Sequence, residues 1–102
     1  MGLEEVAQGW PKLRDLLNPL APKITSLQVL SVEYGHKAIL RFTNDYGVEI
    51  FKHLDDEFFE MTVIRFRSGT YEFAFDTAIP DLNLGYSEAE VLKLCREVSQ
   101  LK

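Results

Sequence analysis

The chain has 102 residues, 46% of them hydrophobic and 26% charged, with a net charge of −5 and one cysteine. That length suits a single α+β domain over 1–102, with a core that needs no metal or cross-link. One cysteine excludes an internal disulfide framework, and the acid excess repels phosphate backbones, so nucleic acid is not an expected partner.

The first ten residues do not read as a signal peptide, and no apolar run has the length of a membrane span. The expected compartment is the cytoplasm, away from any membrane. Leu3, Val6, Ala7, Trp10, Leu13, Leu17 and Leu20 recur at helical spacing. Pro11 interrupts them, and proline fits a helix only in its first turn or at a kink. Either one helix bends near Gly9 and Trp10, or a main helix starts at Pro11. Pro19 and Pro22 end it, and Trp10 is expected to anchor it on a sheet.

Five strand-like runs follow between Ser26 and Thr77. The first covers about 26–34 and the second about 37–43. A three-residue loop, Gly35–His36–Lys37, would pair Leu30 with Phe42, Val32 with Leu40 and Tyr34 with Ala38. A two-residue turn at Gly35–His36 would set Leu30 opposite Arg41, so the odd-length loop fits the apolar pattern better. Asn44–Asp45–Tyr46–Gly47 reads as a type I turn closed by a glycine at positive φ, which puts Val48 and Ile50 on the face of Phe42.

The fourth run, about 58–67, meets the fifth, about 70–77, through a two-residue turn at Ser68–Gly69. Phe66 then lies opposite Tyr71, Ile64 opposite Phe73 and Thr62 opposite Phe75, with Arg65 opposite Glu72 and Val63 opposite Ala74 on the other face. A long loop over 76–86 carries Pro80, Asn83 and Gly85, with Leu82 and Leu84 expected to pin it; loops of that length in small domains are often functional. Ser87 with Glu90 three residues on is a capping box, and Val91, Leu94, Cys95, Val98 and Leu101 form the buried stripe of a last helix. The fold class is therefore α+β: a single five-stranded antiparallel sheet, mostly meander, flanked by an N-terminal and a C-terminal helix. The element order loosely resembles that of several small chaperone, inhibitor and immunity folds, and no motif ties the chain to one of them.

No residue pattern points to catalysis, a metal or a cofactor. His36 is expected in a turn and His53 off the core face, neither with metal-ligand spacing around it. Asp55–Asp56–Glu57, with Glu60 nearby, lacks the alternating oxygens of a calcium loop and reads as a solvated acidic turn. Cys95 is expected to be buried and inert.

The second face of the sheet carries more content. With Leu30, Leu40, Phe42, Ile50, Ile64, Phe66, Phe73 and Phe75 against the helices, Val29, Ile39, Phe51, Met61 and Val63 face the other way, joined by Phe59. Arg41, Glu49, Arg65, Arg67 and Glu72 interleave with them, and Phe, Met and Arg are residues that interface centres favour. The candidate partner-binding set is Ile39, Phe51, Met61, Val63 and Arg65, with an acidic edge of Asp55, Asp56 and Glu57. The expected function is a non-enzymatic protein-binding module of small inhibitor, immunity or chaperone type, meeting a protein partner that is basic where it touches the acids. The alternative is a structural subunit that pairs with its own copy, and a small enzyme of unknown reaction comes third.

Overall fold

The computed structural model describes residues 11–33, 35–55, 57–74, 76–77 and 85–102. Among the described residues the first helix is α1, Pro11–Leu17. A 3-10 helix, Asn18–Lys23, continues the chain and holds Pro19 and Pro22, whose rings deny further α-helical bonding. Leu13, Leu17 and Leu20 are all buried, as their spacing predicts. The expectations for Leu3, Val6, Ala7 and Trp10 fall outside the described residues.

Five strands follow: β1 (Ile24–Val32), β2 (Gly35–Phe42), β3 (Tyr46–His53), β4 (Glu60–Arg67) and β5 (Thr70–Phe73). They form one antiparallel meander in the order β1-β2-β3-β4-β5, and α2 (Glu88–Val98) returns to it, so the fold is α+β. The β4–β5 hairpin has the predicted register, with Ile64 opposite Phe73, Arg65 opposite Glu72 and Phe66 opposite Tyr71. Ser68 and Gly69 both take positive φ, 50° and 83°, the pattern of a tight hairpin turn whose twist suits the strands.

The β1–β2 register corrects the expectation. Val32 pairs with Gly35, Val29 with Ala38 and Leu27 with Leu40, so β2 already begins at Gly35 and no loop spans 35–37. His36 is a strand residue, and Leu30 and Val32 lie on the opposite face from Leu40. The buried row Ala38, Leu40 and Phe42 is met by Val29, Leu27 and Ile24, which alternate as well as Leu30 and Val32 do but in the other phase.

The β2–β3 turn differs in detail. The residue at positive φ is Asp45, at 67°. Gly47 sits inside β3, where a Cβ would collide with the Leu40 carbonyl oxygen. Asn44 does two jobs in this turn. Its Oδ1 accepts the Tyr46 N–H at 3.1 Å, and its Nδ2 donates to the carbonyls of Val98 at 2.8 Å and Leu101 at 2.9 Å. The turn thus supplies a second donor to the Val98 carbonyl, which also accepts the Leu101 N–H at 3.2 Å, and a donor to the Leu101 carbonyl just beyond α2. Asn44→Ala should cost about 1–3 kcal/mol, because the Leu101 carbonyl loses its side-chain donor and the Val98 carbonyl one of its two donors. Asn44→Asp keeps the acceptor alone and should recover little; denaturant titration of both variants checks this.

At its other end α2 is capped as predicted: Ser87 Oγ accepts the Glu90 N–H at 3.3 Å and the Glu90 carboxylate accepts the Ser87 N–H at 3.1 Å. Val91, Cys95 and Val98 are buried and Leu94 and Leu101 pack beside them. Both helices lie over one face, whose core rows are Ala38, Leu40 and Phe42, then Val48 and Ile50, then Met61 and Val63, with Ala74 beyond. Burial pushes the Cys95 thiol from 9.0 up to about 12. The fold therefore favours the neutral thiol. That contribution is whole below the unfolded pKa and is lost as pH rises from about 9 toward 12, at up to about 1.4 kcal/mol per pH unit. Cys95→Ala should flatten the fall in unfolding free energy across that window.

Candidate functional site

The β3–β4 register decides what the face away from the two described helices holds. Val48 pairs with Val63 and Ile50 with Met61, so Met61 and Val63 follow Val48 and Ile50 into the core, at 1% and 4% exposure. This corrects their assignment to the open face, and Val29 and Phe59 move to the core side with them. Conversely Leu30, Ile64, Phe66 and Phe73 lie away from the helices. The expectation for Phe75 falls outside the described residues.

Ile39 and Phe51 are on the open face, as the sequence predicts, and each is half-buried among its neighbours. Leu30 and Phe73 stand at opposite sides of this face, 37% and 51% exposed. Between them the face is organised. Ile64 is fully buried there, with Gly47 across one ladder and Phe73 across the other. The glycine leaves room that the Phe66 ring occupies, 3.0 Å from where a Cβ would sit. The Arg41 guanidinium lies 4.9 Å over the Phe66 ring and donates to Asp45 at 2.7 Å. Tyr71 packs on Phe66 with ring centroids 5.6 Å apart.

Glu49 is the polar centre. Its carboxylate accepts the Tyr71 hydroxyl at 3.1 Å and pairs with Lys37 Nζ at 3.5 Å. Burial first, and then the Glu49 carboxylate, raise the Tyr71 pKa, which keeps the phenol protonated as the donor. Beside this network Glu49, Phe51, Glu60 and Thr62 line an open depression of about 270 Å³. An aromatic ring flanked by two carboxylates is a setting that attracts a cation.

Arg65, expected on the open face, is also corrected: it shares the helix side of the sheet with Met61 and Val63, because Tyr46, Val48 and Ile50 stand opposite the three. Its Nη2 donates to the Tyr46 hydroxyl and to the Asp76 carboxylate, each at 2.9 Å, and its guanidinium lies 5.0 Å over the Tyr46 ring. The hydrogen bond from Arg65 holds the Asp76 carboxyl below its ordinary range. Arg65 therefore ties β3 to the segment after β5. Asp55 and Glu57 are exposed in the β3–β4 turn, just beyond His53, and Asp56 falls outside the described residues. The sequence reading missed Leu30, Phe66, Tyr71 and Phe73 as parts of this face. The signal for Phe66 was Gly47: a glycine inside a strand marks close approach by a neighbour.

Among the described residues no three His, Cys, Asp or Glu side chains are grouped to hold a metal ion, and no helix is long and apolar enough to cross a membrane. The arrangement offers apolar contact at its margins, a fixed hydrogen-bond network at its centre and one cation-attracting depression. Set against known protein families, curated proteins and solved structures, the chain matches none.

Proposed function

We propose that this protein is a non-enzymatic protein-binding module whose docking surface is the open face of the sheet. The observation that carries the reading is that one whole face of a five-stranded sheet lies opposite both helices and still bears Leu30, Val32, Ile39, Phe51 and Phe73. Soluble proteins keep contiguous apolar patches small unless something binds there. Interface centres are also rich in aromatic and Arg side chains, which Phe66, Tyr71 and Arg41 supply here. The depression beside Phe51 favours a partner that brings a Lys or Arg to Glu49 and Glu60. Asp55 and Glu57 at the same end of β3 add attraction of the same sign. An inhibitor, an immunity protein and a dedicated chaperone all act by covering a partner in this way.

A photoreactive phenylalanine analogue at position 51, in the native cell, tests the proposal. It should cross-link one protein in high yield, and the same probe at Lys93 on the outer surface of α2 should not. Glu60→Lys reverses the charge beside the probe and should cut that yield several-fold. Equal and weak labelling from positions 51 and 93 overturns the reading.

A further inference from the structure

The sheet has two unlike edges. β5 is four residues long, and Glu72 and Arg67 meet beside it. β1 is nine residues long, Ile24–Val32, and carries no proline and no Asp, Glu, Lys or Arg. Among the described residues β2 alone pairs with it. Edge strands normally carry devices against pairing: a charge, a proline, extreme shortness or a cover. β1 has a bulge near Ile24, and over Ser26–Val32 it has neither charge nor proline and is not short.

We propose that β1 is the place where a second copy of this chain docks, edge to edge and antiparallel, joining two five-stranded sheets into one of ten strands. A two-fold axis normal to the sheet brings β1 against its own copy in antiparallel sense, so the edge complements itself. It also sets residues of like parity opposite each other. Both helical layers then lie on one side and both open faces on the other, and over the full length of β1 Gln28 faces its own copy and Leu30 faces Ser26.

Charge selects a second copy over the alternatives. The molecule is acidic, at −5, so two copies repel unless their acids stay apart. Of its sixteen acids, eleven fall within 45–90, between the β2–β3 turn and the first turn of α2, and residues 24–32 have none. Pairing at β1 leaves seven strand spacings between the two β4 strands, roughly 33 Å. That is several times the screening length of about 8 Å at physiological salt. Pairing at β5 would bring the acid-bearing halves together. A basic partner, by contrast, has nothing to attract it along an uncharged strand. The pairing also closes: β5, short and charged, does not extend the sheet further.

This inference goes beyond the binding reading and is independent of it, since the edge dimer leaves the open face uncovered and presents it twice. Sedimentation of the purified chain up to about 100 μM, the range where small interfaces assemble, should give twice the monomer mass. Hydrogen exchange of β1 amides should slow as concentration rises. Gln28→Lys with Ser31→Lys places an edge charge on each face at two exposed positions, and should raise the dimer dissociation constant at least about ten-fold with circular dichroism unchanged. Phe51→Ser should leave the dimer intact. The proposal is overturned by a monomer at all concentrations, by a dimer whose β1 amides exchange as in the monomer, or by a dimer lost in Phe51→Ser and kept in the lysine pair. The cross-link from position 51 is read separately, so either proposal can fail alone.

Discussion

Gly47→Ala should lower the unfolding free energy by about 3 kcal/mol, at the upper end of what one added methyl costs in a packed site. The reason is backbone, not side chain. Gly47 pairs with Arg41 across β2 and with Ile64 across β4, and a Cβ there runs into the Leu40 carbonyl. A carbonyl fixed in a ladder cannot swing aside as a side-chain end can, so β2 and β3 must part. The Phe66 ring must shift as well, and with it the stack on Arg41 and Tyr71. Gly69→Ala is the control. Gly69 has φ at 83° with open space around it, so alanine there meets only the left-handed penalty, about 1 kcal/mol. Chemical denaturation of both variants measures the difference. Equal costs would mean that β2 and β3 do not approach as closely at Gly47 as this register requires.

Gly47 also explains why some of the fold was legible in the sequence and some was not. The β4–β5 hairpin was readable because two constraints agree there. A Ser68–Gly69 turn of two residues sets the register, and that register matches Ile64 to Phe73 and Arg65 to Glu72 on opposite faces. The α2 cap and stripe were readable because the signals are local. The phase of β1 was not, since Leu27 and Val29 alternate as well as Leu30 and Val32, and residue pattern alone does not choose between a turn of two and a loop of three. The covered face of β4 was not readable either. Met61 and Val63 compete there with Ile64 and Phe66, and the more aromatic row looks like core. What decides is the pairing across the 54–59 turn, a long-range choice that sets Val63 beside Val48. The row Leu40, Val48, Val63 and Ala74 then takes the helices. Asn44 was beyond reach for a similar reason, because its helix partners lie 54 and 57 residues away.

That competition between rows gives the sharpest functional test. Met61 and Phe51 lie near each other in the sheet, Met61 across from Ile50 and Phe51 across from Glu60, on opposite faces. Met61→Ala should cost about 2–5 kcal/mol, as a fully buried side chain removed from a packed core does. It should leave the cross-link from position 51 unchanged in the protein that remains folded, because the core residue touches no partner. Phe51→Ser should do the reverse. Its ring is half-buried and rests edge-on against His53 at 4.9 Å, so its loss should cost about 1 kcal/mol, the lower part of the range for removed apolar contact. Binding should fall much further, since a central aromatic in an interface commonly carries 2 kcal/mol or more, roughly thirty-fold in affinity. Unfolding curves and partner titrations on the two variants separate the effects. If Phe51→Ser destabilises as much as Met61→Ala and binding to the captured partner is unmoved, the ring serves the fold and the docking surface lies elsewhere. If the two variants divide as expected, one side of the sheet is the core and the other is the working surface.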